Sequence, residues 1–228
     1  MDVRLAVFLS TLVGLSALEA LLPFRPAERG RRWPVNLALG ALNGLVVFLT
    51  LGLLMQWLGM PALGLRSLPA VIGWPVTFLA LDLQLWLWHV ANHRVAFLWR
   101  FHRLHHTDTV LDVTSASRFH PAEVVSGRVV SVLFGAALGA DPLAQACFEA
   151  LVTASSQLQH VNVLVPRRIE RLWEMCGVSP LLHSLHHEAA ASPCANYGTV
   201  LSLWDRVFGT FRTGDREAVR IGVDRWSV

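Results

Sequence analysis

The sequence predicts an all-α fold: an integral membrane helical bundle of about four transmembrane helices, a short re-entrant or hairpin helix and a cytoplasmic histidine-rich cap. Three observations carry this expectation. Of the 228 residues 54% are hydrophobic and 15% charged, and mean hydropathy is +0.46, the composition of a chain solvated largely by lipid. The apolar residues fall into runs long enough, at about 1.5 Å per helical residue, to cross a hydrocarbon core of about 30 Å. Most of the ten histidines fall at the ends of those runs or between them.

Leu5 to Leu22 is apolar except for Glu19. It lacks the basic start and small-residue exit of a cleaved leader, so it is expected to be a retained first span. Val35 to Leu58 carries no charge and is the most secure span. Leu68 to Trp88, containing only Asp82, is the third, and Leu143 to Val165, containing only Glu149 and His160, is the fourth. Between these last two, Val129 to Ala140 is too short to cross alone and reads as a re-entrant or hairpin helix closed by the turn 140-ADP-142. No repeat or long linker interrupts the chain, which reads as one integral membrane domain over 1–228 with a polar C-terminal tail from Asp205.

Charge sets the expected orientation. All nineteen basic residues are arginine, and the formal net charge is +3. Arg25, Arg29, Arg31 and Arg32 lie between the first two spans, Arg94, Arg100 and Arg103 follow the third, and Arg167, Arg168 and Arg171 follow the last. The positive-inside rule places these groups in the cytoplasm, at the inner membrane if the source is bacterial. The Gly59–Ser67 connection, with only Arg66, then faces the other side. No basic helix or aromatic platform accompanies the charge, which excludes nucleic acid as a partner. Three scattered cysteines, Cys147, Cys176 and Cys194, form no disulfide framework and no cysteine-ligated metal pattern.

The histidines carry the chemistry. In 89-HVANH-93 the two rings are four residues apart, on one face of a helix continuing out of the third span. In 102-HRLHH-106 and 183-HSLHH-187 the first ring shares a face with the rings three and four residues later. The three clusters, His89 and His93, His102, His105 and His106, and His183, His186 and His187, supply eight imidazoles. One tetrahedral ion needs four, so eight point to two metals sharing a basin. Imidazole suits iron, zinc, copper and nickel, whereas magnesium and calcium prefer oxygen. His120 and His160 are further candidates to complete the shell, against the plainer reading of a satisfied polar ring. For the clusters the plainer reading is a headgroup-binding face, where a repeated offset serves no purpose. Asp82, two turns before His89 on the same face, is a candidate to orient that ring, or else an intramembrane acid paired with an arginine. Asp108 and Glu188 are expected to be solvated surface acids, and the tryptophans, including Trp86, Trp88 and Trp99, interfacial belt residues.

The segments 98-LWRFHRLHH-106, 118-RFHPAE-123, 183-HSLHH-187, 196-NYG-198 and 204-WDRVFGT-210 together resemble the fatty acid hydroxylase superfamily, also called the sterol desaturase family. The likeness covers roughly 82–210, the expected catalytic region. It implies a membrane oxidoreductase with a non-haem di-iron centre that uses O2 to hydroxylate or desaturate a fatty acyl chain, sterol or other isoprenoid lipid. Carried over by position, His89 and His93 form the first box, His102, His105 and His106 the second, and His183, His186 and His187 the third, with His120 and His160 as added ligands. The first box departs from the family's usual His-Arg ending at Val90.

An aliphatic C–H bond gives a general base nothing acidic to remove, so the oxidation is assigned to the metals, with the protein supplying position and a dry cavity. The sequence shows no dinucleotide fingerprint, haem attachment motif or ferredoxin cysteine pattern, so a separate electron donor is implied: a reductase, ferredoxin or cytochrome b5-like carrier. The arginine-rich face suits an acidic carrier. Substrate is expected to enter sideways from the bilayer. The alternatives are a metal-ion transporter, whose sites belong near mid-bilayer in broken helices, and a non-catalytic lipid-binding membrane protein.

Overall fold

Nine α-helices follow one another in the described residues of the computed structural model, which are 3–27, 29–55, 64–189 and 194–223. The last three residues of the expected second span and the start of the Gly59–Ser67 connection lie outside them. Two isolated β-bridges occur, and no strand is present among the described residues.

Five long helices alternate in direction. They are α1 (Val3–Leu21), α2 (Arg29–Met55), α3 (Ala70–Arg94), α5 (Pro121–Leu138) and α6 (Pro142–His160). Between α3 and α5 stand α4 (Ala96–His106) and a 3-10 turn, Val113–Ser117. After α6 come α7 (Arg167–Glu174), α8 (Pro180–His186) and α9 (Leu203–Val207). Contacts at the two ends fix the alternation. At one end the Arg66 amide donates to the Gly139 carbonyl (2.8 Å), and the Trp74 indole to Asp141 (3.3 Å). At the other, the end of α1 meets the end of α6, where the Phe24 amide donates to Asn162 O (2.9 Å). The histidine-bearing ends of α3 and α6 therefore arrive on one side, beside α4 and α8.

Glu19, the lone acid of the first span, is fully buried, and one of its oxygens accepts the amides of Val113 and Asn162 at 2.8 Å each. A buried carboxylate is tolerated because it satisfies backbone donors that the turn and the helix end leave open. Arg32, at the end of the first turn of α2, reaches Asp108 at 2.6 and 2.7 Å and lies 2.9 Å from Asp112. Asp108 is thus a buried ion-pair partner rather than the solvated acid expected from sequence.

The expected spans are corrected in one respect. The helices long and apolar enough to cross a membrane are α1, α2 over Arg29–Leu49, α3 and α5. Val129–Ala140 is the second half of α5 with the turn that closes it, because the helix runs back to Pro121. α6, read as the fourth span, has 19 residues but falls outside that set, since Gln145, Glu149, Gln157 and Gln159 lower its hydropathy. Those polar groups are used internally: Thr11 of α1 bonds Gln157, and Glu149 pairs with Arg4 (2.7 Å) and Arg128 (2.6 Å). The α5–α6 hairpin turns on Gly139, whose φ of 62° favours glycine, and on Asp141, which caps α6 through the Leu143 amide.

The C-terminal segment is not a free polar tail. Val219 and Ile221 pack with Leu111, Leu181 and Leu185 in the core of the cap. Arg216 is buried and donates to the carbonyls of Val161 (2.7 Å) and Val163 (2.5 Å) and to the Ser184 hydroxyl (3.2 Å). Burial lowers its pKa to about 10, so it remains a cation at neutral pH.

Candidate metal centre

Nine imidazoles converge at the cap end in two groups. His89 and His93 from the last turns of α3 meet His102 and His106 of α4 and His186 of α8. His105 of α4 meets His160, the last residue of α6, with His183 of α8 and His187 just after it. Within each group one nitrogen per ring lies within 4.8 Å of all the others. The groups abut: the rings of His106 and His187 stack at 4.2 Å, and those of His186 and His187 are 5.4 Å apart. The offsets of three and four in the two His-x-x-His-His segments thus divide each cluster between the groups: His102 and His106 go one way and His105 the other, as do His183 and His187 against His186.

Tautomers follow from the outer partners. His89 Nδ1 lies 2.7 Å from the Tyr197 carbonyl, His186 Nδ1 2.9 Å from that of Ala195, and His160 Nδ1 2.7 Å from that of Ser156. A carbonyl only accepts, so each Nδ1 carries the proton, and in the neutral ring Nε2 is a lone pair. His102 Nδ1 is anchored by Glu123 Oε1 at 2.6 Å. The inward atoms are then crowded. Nε2 of His93 lies 3.2 Å from that of His186 and 3.1 Å from that of His102, and His102 and His106 are 3.2 Å apart. In the second group His183 stands 3.2 Å from His160 and 3.0 Å from His187. His89 Nε2 is buried with no hydrogen-bond partner among the described residues.

The inward nitrogens of His89, His160 and His186 are lone pairs, and a cation among such closely spaced rings would be bound by them in place of any ring-to-ring hydrogen bond. Nitrogens about 2.0–2.1 Å from a shared ion are separated by about 3.0–3.4 Å along a coordination edge, the spacing found here. The residues therefore fit two metal ions. Their electrostatics agree. Burial first, and then neighbouring imidazoles, hold the pKa values of His105, His106, His183 and His187 well below the ordinary histidine value. Burial takes His186 down to about 3 against the opposing effect of the Ala195 carbonyl. These rings stay neutral at physiological pH, the form that binds a metal.

His120 lies outside both groups. Its Nδ1 accepts the Ala122 amide at 3.1 Å, capping α5, and its ring packs 4.9 Å from Phe101. Asp82 is engaged by the Trp204 indole at 2.9 Å, while His89 is oriented by Tyr197. Glu188 pairs with Arg212 rather than standing free in solvent. Two of the expected belt tryptophans are structural. Trp86 is buried and donates to Asp205 at 3.0 Å, and Trp99 packs 5.1 Å from His93 and 5.5 Å from His106.

Three supporting features escape a histidine-centred reading. Glu123 sits in the first turn of α5, and the acid in 118-RFHPAE-123 was its only signal. The carbonyls of Tyr197, Ala195 and Ser156 have no side-chain signature at all. Asp205 gathers the amides of Tyr197 and Gly198 (2.8 Å each), the Thr210 hydroxyl (2.6 Å) and the Trp86 indole, which fixes the loop carrying the Tyr197 carbonyl against His89. Asn196 adopts φ 57°, a conformation its short side chain tolerates, and bonds the Leu182 and Arg212 carbonyls and the Arg212 amide. The segments 196-NYG-198 and 204-WDRVFGT-210 are thus the clamp behind the first histidine group.

Comparison with known proteins agrees with this architecture. The family model described as fatty acid hydroxylase matches residues 74–210. The chain is 27% identical to a cholesterol 25-hydroxylase-like protein of Danio rerio, over 90% of this chain and 87% of that one. It is 28% identical to the ornithine lipid hydroxylase OlsE of Rhizobium tropici, over 92% of this chain and 67% of that one. Alkylglycerol monooxygenase of Danio rerio is 25% identical over 60% of this chain and 30% of its own length. No solved structure gives a significant match. Hydroxylase and monooxygenase relatives mark an oxidoreductase, and since the family match takes in all nine converging histidines and more than half the sequence, the chain belongs to the fatty acid hydroxylase family.

Proposed function

We propose that this protein is a membrane-bound oxygenase that hydroxylates a lipid: a fatty acyl chain, a sterol or another isoprenoid lipid. It takes O2 and two electrons from an external donor of the reductase, ferredoxin or cytochrome b5-like type. One iron ion would be held by His89, His93, His102, His106 and His186, and a second by His105, His160, His183 and His187. The observation that carries the reading is the convergence of nine imidazoles, seven of them buried and two half-buried, into two abutting groups at one end of a lipid-solvated bundle. The hydroxylases among the relatives favour hydroxylation over desaturation.

When bound, the two irons supply what amino acids lack, the reduction of O2 and the oxidation of an unactivated C–H bond. The chain's own residues do the rest. The Tyr197, Ala195 and Ser156 carbonyls and Glu123 hold the imidazole protons outward and aim the nitrogen lone pairs inward. The burial of His102, His105, His106, His160, His183, His186 and His187 keeps water from the centre. The arginines at the histidine end, among them Arg25, Arg29, Arg100, Arg103, Arg168 and Arg171, support a cytoplasmic orientation of that end by the positive-inside rule and would offer an acidic electron carrier a basic surface.

The test is metal analysis of the purified protein together with lipid profiles of cells with and without its expression. A hydroxylated lipid is expected to appear with the wild type and vanish in His105→Ala and His186→Ala, with loss of iron. Unchanged iron and product in both variants would end the assignment.

A further inference from the structure

α7 is built inside out for a water-facing helix. Its acids point inward: Glu170 is 2% and Glu174 5% exposed. Glu170 accepts the Leu181 amide (3.3 Å), and Glu174 pairs with Arg167 (2.6 Å). The outward face carries Ile169, Leu172, which is 69% exposed, and Met175, flanked by exposed Arg168 and Arg171. A second apolar face adjoins it. The end of α7 is tied to the start of α9 by the Ser202 amide on Cys176 O (3.0 Å), the Ser202 hydroxyl on Glu174 O (2.9 Å) and the Arg206 guanidinium on the same carbonyl (2.8 Å). α9 then exposes Leu203, Phe208 just beyond it, and Val207, the last at 61%.

The depth of this face is fixed by α3. The Trp204 indole donates to Asp82, the Trp86 indole donates to Asp205, and Phe208 stacks on Trp86 with centroids 4.6 Å apart. Asp82 and Trp86 lie within a helix long and apolar enough to cross the membrane, one to two turns below His89. α9 therefore sits beside a spanning helix, at the level of its lipid-exposed Leu79 and Leu87. We infer that α7 and α9 form a non-spanning shoulder embedded in the same bilayer that the long helices cross, its apolar face on lipid chains and Arg168 and Arg171 at the phosphates. Helices of eight and five residues are too short to span, and this shoulder enters from the cap side only.

The full chain, with Cys147, Cys176 and Cys194 replaced by serine, is placed in nanodiscs of phosphatidylcholine and phosphatidylglycerol, which leave both faces open. Nitroxide labels at Leu172→Cys and Val207→Cys are compared with Phe48→Cys, on the exposed apolar side of α2, and Glu217→Cys, on the exposed cap surface. Collision with O2 should exceed collision with a water-soluble nickel chelate at 172 and 207, as at 48, with nickel accessibility about tenfold below that at 217. Nickel accessibility equal to that at 217 would overturn the proposal and make this face a surface for a soluble protein. Reaction of the unlabelled cysteine variants with a membrane-impermeant maleimide gives the same comparison without the label: slow at 172 and 207 if they are embedded, as fast as at 217 if they are not.

Discussion

At the scale of single residues, what distinguishes the two histidine groups is how their rings are held from behind. In the group of five, His89 and His186 are held by carbonyls and His102 by a carboxylate, whereas among the described residues only His160 in the group of four has a backbone anchor, and the Nδ1 atoms of His105, His183 and His187 have no partner there. Outer partners of ligating rings are worth roughly 10–100-fold in metal affinity. Glu123→Ala should therefore weaken one of two metals by about that factor and leave the other unchanged, while Glu123→Gln, which keeps an acceptor oxygen, recovers most of the loss. Competition with a chromogenic chelator reads both affinities, and a Glu123→Ala protein with two unaltered sites would contradict the account. His120 gives the opposite expectation. Because its ring caps α5, His120→Asn preserves the cap and leaves metal content unchanged, and His120→Ala costs about 1 kcal/mol in thermal unfolding.

At the scale of elements, the clamp from Asn196 to Thr210 is the part on which the first group depends without contributing a ligand. Asp205 holds four donors while buried, so Asp205→Ala leaves several of them unsatisfied and should destabilise the cap by about 3 kcal/mol or more, seen as a lower Tm in detergent. Gly198 is equally constrained: an added Cβ would stand 2.5 Å from the Leu201 carbonyl and 3.0 Å from Asp205 Oδ2. Gly198→Ala should likewise lower Tm, and an unchanged Tm in both variants would show the clamp to be dispensable. Element by element, the sequence was readable where spacing dictates geometry. Ring pairs four apart on α3 and on α4 do share a face, and α3 does continue beyond its apolar stretch to carry His89 and His93. It was misleading where tertiary partners override local pattern. α6 is less apolar than a lipid-facing helix because Gln157 and Glu149 bond across the bundle, and Trp86 looked like a belt residue although Asp205, far along the chain, buries it. Backbone carbonyls that orient rings leave no mark in a sequence at all.

At the scale of the whole molecule, the alternating helices deliver histidines from four separate elements to one dry end of the bundle, and this has a pH signature. Rings held neutral in the folded state bind fewer protons than the same rings unfolded, which titrate near 6.5. In the metal-free protein, stability is therefore full above that value and is lost as pH falls from about 6.5 toward the His186 value of about 3. Thermal unfolding of chelator-treated protein across that range should show a falling Tm, with a shallower fall once metal is restored, because a bound ion competes with protons for the same nitrogens. A Tm independent of pH in the metal-free state would mean that the rings are open to water. The division of the chain into lipid-solvated helices and a histidine cap was legible from hydropathy and from the arginine clusters. The folding of residues 205–223 onto the cap was not, because Val219 and Ile221 acquire their meaning only from Leu111, Leu181 and Leu185.

The most direct measurement is the metal content of the full-length protein, purified in detergent from iron-supplemented cells, determined by elemental analysis for the wild type and for His102→Ala and His183→Ala, one from each group. The account predicts two iron ions per chain in the wild type and selective loss in each variant, with the other group still able to load. A wild-type chain that binds no iron, or variants that keep the full complement, would contradict it.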